Sequence, residues 1–183
     1  MSMSKSRQEA LEPRVRVLHD AAAIAARVDE LARMIAARVP GDVTLVGVLK
    51  GSFVFLADLI RALDRHGLTP RVEFMQLSSY GMAKTSSGRI HLIGAAPDVA
   101  GRAVVLVDDI EDTGRSLAFA RDLLREQGAA AIWTCVLADK PTRREVDVAA
   151  DLVGFEVPDV FLVGYGIDYA ERYRHLPYLG TID

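Results

Sequence analysis

VVLVDDIEDTGRSL, residues 104–117, is the stretch of sequence that decides the fold. Its first four residues are aliphatic without alternation, which is typical of a strand buried on both faces of a parallel sheet. Apolar residues then recur at helical spacing at Leu117, Ala120 and Leu124, so residues 112–116 are predicted to form a turn that leads into a helix. The stretch therefore predicts a strand, a turn and a helix, which is the repeating unit of an α/β fold.

The polar residues of this stretch indicate a site for a ribose 5-phosphate. Asp108 and Asp109 can accept hydrogen bonds from ribose hydroxyls or hold a hydrated divalent cation. Thr113, Gly114 and Ser116 offer hydroxyl and backbone donors to a phosphate, and a helix N-terminus favours an anion. An acidic helix cap in a solvated turn would explain any one of these residues alone. Their combination in a single strand-to-helix turn favours the ligand site.

A second buried strand, predicted over residues 43–49, ends in a similar polar turn. Lys50 and Gly51 follow it, and a helix is predicted over residues 53–66. Ligands of open α/β sheets bind at the carboxyl ends of the strands, so both residues are expected to face the same crevice as Asp108. A solvated surface lysine is the alternative for Lys50.

The remaining elements predict a twisted, mainly parallel sheet flanked by helices, in a single domain over residues 1–183 with a core of about residues 40–150. Asp20 is a suitable N-cap for an amphipathic helix. Residues 78–93 show no periodicity and predict a long loop, either a lid or a disordered segment. A polar tail is predicted from Tyr169. Further strands are predicted at residues 15–18, 72–77, 131–137, 152–155 and 160–163.

The overall charge argues against two classes of partner. The chain has 22 basic and 25 acidic residues, scattered along it, and a formal net charge of −3, so there is no electrostatic basis for binding nucleic acid or a membrane. Cys135 lies in an apolar run, which predicts a buried thiol rather than a nucleophile. Residues 1–7 are polar, and no run approaches the ~18 apolar residues of a membrane helix, so we expect a cytoplasmic protein.

Motifs of several other ligand-binding proteins are absent from the sequence. There is no P-loop, and residues 164–166 lack the third glycine of a dinucleotide fingerprint. The four histidines show no metal-binding spacing. A phosphorelay receiver domain also has an Asp-Asp pair after an aliphatic strand, but on its first strand, whereas here two predicted buried strands precede Asp108.

Residues 104–117 resemble the phosphoribosyl pyrophosphate (PRPP) signature of type I phosphoribosyltransferases. Over about residues 43–179 the chain is similar to the bacterial hypoxanthine and hypoxanthine-guanine phosphoribosyltransferases, which implies their fold with a small hood built from the two termini. Two positions depart from that pattern, because the usual Glu-Asp pair is Asp108-Asp109 and Glu111 stands where an aliphatic residue is more common. The segments that carry the resemblance are LKGS (49–52), SSYG (78–81), DKPTRR (139–144), VGFEVPD (153–159) and VGYGIDY (163–169).

The resemblance implies purine salvage, in which a 5-phosphoribosyl group passes from PRPP to N9 of a 6-oxopurine with release of pyrophosphate and with Mg²⁺ as cofactor. It implies that Asp112 is the general base for purine N7. The residues implied to bind PRPP are Lys50, Gly51, Asp108, Asp109, Thr113, Gly114, Arg115, Ser116 and Arg174. The implied lid contacts are Ser79 and Tyr80. The implied base contacts are Lys140, Phe161, Leu162 and Asp168. The implied Mg²⁺ ligands are Asp108, Asp109 and Asp168.

Several questions stay open at the level of sequence. Without the family resemblance, Lys140 would be interpreted as a solvated loop lysine and Phe161 as an aromatic residue of the core. The relative use of hypoxanthine and guanine depends on fine placement of backbone groups, and a homo-oligomer, either a dimer or a tetramer, is implied only by the resemblance. The same fold could also serve a PRPP-binding regulator without catalysis, although the lack of a basic patch weighs against a nucleic-acid regulator.

Overall fold

The structure is a computed structural model that describes residues 14–80 and 89–182. Its helices and strands alternate along most of the chain, as the sequence predicts. In chain order they are β1 (Val15–His19), α1 (Ala21–Arg38), β2 (Val43–Leu49), α2 (Phe53–Arg65), β3 (Arg71–Tyr80), β4 (Arg89–Ile93), β5 (Ala103–Glu111), α3 (Arg115–Glu126), β6 (Ala131–Asp139), a 3₁₀ turn (Pro141–Arg143), β7 (Leu152–Glu156), β8 (Leu162–Val163) and β9 (Leu179–Ile182).

The central sheet has six strands in the order β4-β3-β2-β5-β6-β7. Five of them run parallel, and β4 pairs antiparallel with β3 at one edge. This mainly parallel sheet with flanking helices confirms the predicted fold class. Because β2 and β5 are adjacent and parallel, their carboxyl ends open into one crevice.

The aliphatic residues of β5 face both layers of helices. Val105 and Val107 pack in an apolar cluster with α1 and α2, whereas Val104 and Leu106 pack in a second cluster with α3. All four side chains are fully buried. A strand covered on both faces needs no polar residue, which accounts for the absence of alternation in the sequence.

Helix α1 begins at the residue that its sequence predicts. The Asp20 carboxylate accepts a hydrogen bond from the Ala23 backbone N–H at 2.8 Å, which satisfies one of the free donors of the first turn. The predicted apolar stripe from Ile24 to Ile35 is buried against α2 and the sheet. Within the described ranges no helix is both long and apolar enough to cross a membrane.

The prediction of a long loop over residues 78–93 is wrong at both of its ends. β3 continues to its pairing of Tyr80 with Arg89, and β4 runs back beside it to the pairing of Gln76 with Ile93. β4 is a short edge strand that no helix buries completely, so its apolar alternation is too weak to distinguish it from a loop. The two strands extend the sheet beside the crevice.

A second, three-stranded antiparallel sheet joins the two ends of the chain in the order β1-β9-β8. It is the predicted hood. The polar tail predicted from Tyr169 is wrong for its last residues, because Leu179 and Thr181 are buried in β9. The strand predicted over residues 160–163 is shorter, since only β8 pairs. β9 forms because β1 offers it a partner from the opposite end of the chain, which no local pattern reveals.

Candidate active site

An acidic cleft of about 250 Å³ opens at the carboxyl ends of β2 and β5 and at the N-terminus of α3. These three elements are neighbours because β2 and β5 pair in parallel and β5 leads through a short turn into α3. Eight of the residues predicted to bind substrate line it: Lys50, Gly51, Asp108, Asp109, Asp112, Thr113, Gly114 and Ser116.

Two adjacent carboxylates form the floor of the acidic cleft. The Asp109 backbone N–H donates to Asp108 Oδ1, and the Ile110 N–H donates to Asp109 Oδ1, both at 2.9 Å. Burial raises the pKa of Asp108 well above its ordinary value, and the neighbouring charge of Asp109 raises it further. Burial also raises the pKa of Asp109. Hydroxyl groups or a cation placed against this pair would stabilise its charged form.

The acidic pair fits a hard cation that arrives with an anionic ligand. Carboxylate oxygens are the ligands that Mg²⁺ prefers, and in many sites one or two carboxylates suffice because phosphates and water complete the shell. Among the described residues, no three His, Cys, Asp or Glu side chains lie close enough together to hold a metal ion. Asp168, the third predicted ligand, is instead paired with Arg174 Nη2 at 2.8 Å.

Gly51 brings its backbone directly against the acidic pair. A Cβ atom at this position would lie 1.7 Å from Asp109 Oδ2, far inside any real contact distance. Gly166 in turn packs against Gly51, and a Cβ at Gly166 would lie 2.2 Å from the Gly51 carbonyl oxygen. The cleft therefore has its present shape only because both residues lack a side chain.

The turn after β5 presents its donors to the cleft. Gly114 adopts a left-handed φ of 81° at the first position before α3, which favours glycine. Thr113 and Ser116 line the cleft beside it. The Arg115 side chain does not, because its guanidinium pairs with Glu145 at 2.7 Å. With its side chain in this position, only the backbone of Arg115 can contact a phosphate in the cleft.

A second cavity, the apolar pocket, has a volume of about 420 Å³ and shares Ile110 and Asp112 with the acidic cleft. Lys140 is only 6% exposed, and its Nζ lies 4.0 Å from Asp112 Oδ2. Phe161 is half exposed on the opposite side and meets Tyr169 edge to face at 5.4 Å. The pocket thus combines an aromatic face with one buried cation. All four predicted base contacts, Lys140, Phe161, Leu162 and Asp168, line it.

Two cations lie beside the acidic cleft, Arg174 in the loop before β9 and Lys50 directly after β2. Arg174 Nη1 donates to the Gly166 carbonyl at 2.8 Å, and Nη2 pairs with Asp168. Lys50 Nζ lies 3.2 Å from both carboxylate oxygens of Glu171, which is also 3.5 Å from Arg174 Nη2. Two of the residues implied to bind PRPP, Lys50 and Arg174, therefore share the Glu171 carboxylate as a counter-ion.

Comparison with known proteins agrees with this geometry. The phosphoribosyl transferase domain matches residues 15–170. The chain belongs to the phosphoribosyl transferase family. It is 42% identical over 172 residues to the hypoxanthine phosphoribosyltransferase of Escherichia coli strain K12, covering 92% of this chain and 95% of that enzyme. It is 49% identical over 154 residues to the hypoxanthine-guanine phosphoribosyltransferase of Aquifex aeolicus, covering 82% and 85%.

Similarity in three dimensions extends over almost the whole length of this family member. The solved hypoxanthine phosphoribosyltransferase of Trypanosoma cruzi, in complex with the product IMP, superposes with a TM-score of 0.83 at 34% identity. The match covers 93% of this chain and 95% of that one. The hood and the central sheet are therefore arranged as in a family member that binds a purine nucleotide.

Three site residues were not predicted from the sequence. Arg143 Nε lies 3.1 Å from Asp112 Oδ1 and 3.7 Å from Asp159 Oδ1, at the rim of the apolar pocket. Glu171 pairs with Lys50, as described above. The only available signal was that Arg143 and Asp159 belong to segments that carry the family resemblance. Charged residues in polar segments are too common for that signal to single them out.

The predicted lid contacts lie at the boundary of the described residues. The backbone of Ser79 and Tyr80 forms the end of β3. Their side chains and residues 81–88 lie outside the described part of the chain. Their role therefore stays a prediction.

Proposed function

We propose that this protein transfers the 5-phosphoribosyl group of PRPP to N9 of hypoxanthine and of guanine, forming IMP and GMP and releasing pyrophosphate. The observation that carries the proposal is the meeting of the two cavities at Asp112. One cavity has the acidic pair and phosphate-binding turn that a phosphorylated ribose requires. The other has the size, the aromatic face and the buried lysine that suit an oxopurine.

Departure of pyrophosphate from the ribose leaves oxocarbenium character on the sugar, so the site must stabilise a cation and a leaving anion together. We assign the ribose hydroxyls to Asp108 and Asp109 and the 5-phosphate to the turn of residues 113–116. Lys50, the Gly51 backbone and Arg174 would hold the pyrophosphate. For that purpose Glu171 must release its two cations.

We further propose Mg²⁺ as the cofactor, held by Asp108 and Asp109 together with oxygens of the ligand. When bound, it would neutralise charge on the pyrophosphate and make it a better leaving group. Asp168 is proposed to contact the base in the apolar pocket and to hold Arg174 through their ion pair. A direct contact of Asp168 with a second Mg²⁺ would require that pair to open.

In the apolar pocket we assign the purine O6 to Lys140, the ring face to Phe161 and the pyrimidine edge to the Leu162 backbone and Asp168. Asp112 would accept the proton from N7, since it borders both cavities and its carboxylate reaches the pocket. Arg143 Nε donates to Asp112 Oδ1 at 3.1 Å, so we assign the contact with N7 to Oδ2, the oxygen nearer Lys140.

A turnover assay with purified protein, PRPP, Mg²⁺ and a panel of bases tests the proposal. Hypoxanthine and guanine should be converted to their 5′-monophosphates with stoichiometric pyrophosphate, and adenine should not. PRPP binding without turnover of any base would refute it in favour of a regulator. No feature of residues 14–80 and 89–182 favours that alternative, and the relatives named above are phosphoribosyltransferases by name.

We also propose a single domain over residues 1–183 that forms a homo-oligomer. Exposed apolar side chains on the outer strands support an oligomer, since Phe74 and Ile93 are about half exposed on the adjacent strands β3 and β4. Light scattering coupled to gel filtration would measure the oligomeric state, and a monomeric mass would refute it.

A further inference from the structure

A buried ion pair lies beside the phosphate-binding turn, and neither of its members is a proposed substrate contact, although one of them borders the acidic cleft. Its acidic member is Glu111, the residue that stands where the family usually has an aliphatic one. The Glu111 side chain is fully buried, its Oε2 accepts from the Ala150 N–H at 3.2 Å, and its Oε1 lies 3.2 Å from Arg144 Nη1.

Arg144 connects this pair to the site. Its Nη1 donates to the backbone carbonyl of Asp112 at 2.9 Å, and its Nη2 donates to Asp139 Oδ1. A guanidinium stays protonated and carries its N–H groups in one rigid plane, so Arg144 fixes these two acceptors relative to one another while its charge faces Glu111. The Asp112 carbonyl belongs to the turn, Asp139 ends β6, the strand that precedes Lys140, and Glu111 ends β5.

The chain around Arg144 braces the same turn. The Thr113 carbonyl accepts from the Glu145 and Val146 backbone N–H groups at 3.0 and 3.2 Å. Gly114 packs against the Arg144 stem so closely that a Cβ there would lie 2.9 Å from Arg144 Cδ. The segment of residues 144–146 therefore holds the turn, and within this segment Arg144 contacts both β5 and β6.

We propose that Arg144 is a positioning residue for phosphoribosyl transfer and that Glu111 is its buried counter-charge. Arg144 sets the position of the Asp112 backbone, and through it the carboxylate shared by the two cavities. Glu111 balances the charge of the guanidinium on its buried side, where water does not reach. Neither side chain is assigned to substrate, because the Glu111 side chain is fully buried and Arg144 lines neither cavity. This inference rests on the proposed function, because it concerns the placement of the proposed general base.

The first measurement compares melting temperatures and tests how much the Arg144–Glu111 ion pair contributes to stability. Arg144→Met leaves the buried Glu111 carboxylate without its cation, which is among the costly ways to break an ion pair. Glu111→Leu is milder, because Arg144 keeps the Asp112 carbonyl and Asp139. The double variant removes both charges and should regain most of the melting temperature that Arg144→Met loses. An exposed pair on α3, Arg125 with Asp122 at 2.8 Å, provides the control Arg125→Met.

The second measurement distinguishes positioning from simple stability. A displacement of about 1 Å in a catalytic group can cost on the order of 10²-fold in rate. The double variant should therefore show a kcat at least about tenfold below that of the unmodified protein although its melting temperature is restored. Arg125→Met should change neither quantity. Recovery of both the melting temperature and kcat in the double variant would overturn the proposal.

A conservative variant covers the case in which the double variant does not fold. Arg144→Lys keeps a charge beside Glu111, but one ammonium on a flexible stem cannot hold the Asp112 carbonyl and Asp139 in a fixed plane. It should fold and show a reduced kcat, and an unchanged kcat would overturn the inference. Inactivity of the unmodified protein with every base would refute the proposed function instead, so the two failures are distinguishable.

Discussion

Gly51→Ala is predicted to disable the acidic cleft while leaving the fold intact. The added Cβ would lie 1.7 Å from Asp109 Oδ2, whereas ordinary contacts begin at 3.4 Å, so the carboxylate must retreat by about 1.7 Å. Mg²⁺ is bound at about 2.0–2.1 Å in a demanding octahedral geometry, which cannot absorb such a shift. A displacement of about 1 Å can cost 10²-fold, so we expect kcat/KM for PRPP to fall by about 10²-fold or more.

That loss corresponds to about 2.7 kcal/mol of transition-state stabilisation, at 1.36 kcal/mol for each factor of ten. It would be measured as initial rates over a range of PRPP concentrations at saturating hypoxanthine, with melting temperature measured in parallel. Gly41→Ala is the matched control, because a Cβ at Gly41 meets no atom within 4 Å. If Gly51→Ala kept the kcat/KM of the Gly41→Ala control, the close packing of Gly51 on Asp109 could not matter for catalysis.

Four further predictions test individual roles. Asp112→Asn should lower kcat by about 10²–10⁴-fold with PRPP binding nearly unchanged, since positioned proton transfer is worth that much; an unchanged kcat would remove Asp112 as general base. Excess EDTA should abolish turnover and added Mg²⁺ should restore it, because the proposed cation ligands are all oxygens; full activity in EDTA would exclude the cofactor. Lys140→Ala should raise KM for hypoxanthine much more than for PRPP, and adenine should be a poor substrate of the unmodified protein, because an ammonium only donates hydrogen bonds; equal kcat/KM for adenine and hypoxanthine would contradict this. Glu171→Gln should lower KM for PRPP by up to about fivefold, as an exposed ion pair to Lys50 is worth ~0.2–1 kcal/mol; a raised KM would show that Glu171 assists binding.

The parts of the fold that depend on local pattern were predictable from the sequence. An aliphatic run without alternation indicated that residues 104–107 are covered on both faces, and one carboxylate at Asp20 marked the start of α1. In each case the physical cause acts within a few residues of the pattern. β9 could not be found in this way, because Leu179 and Thr181 are buried only when β1 lies beside them.

The arrangement of the site was predictable wherever the strand-end rule applies. Lys50, Gly51 and Asp108 follow or end neighbouring parallel strands, and such strands place their carboxyl ends at one edge of the sheet. Side-chain direction was not predictable. Arg115 lies in the phosphate-binding turn but turns away to Glu145, and a sequence motif does not encode which of two charged partners a long side chain selects.

Glu111 shows why the charge of a site cannot be summed from its motif. In the sequence it adds a fourth carboxylate to a stretch expected to bind phosphate, which suggests a cleft that repels its ligand. In the structure its charge is directed behind the turn and balanced by Arg144, which lies beyond the following strand. The charge that faces the ligand is therefore set by the side chains that line the acidic cleft, chiefly Asp108, Asp109 and Asp112 against Lys50. In this chain Arg144 thus accommodates an acidic residue where the resemblance implies an aliphatic one, and we expect the consequence in the rigidity of the turn rather than in phosphate affinity.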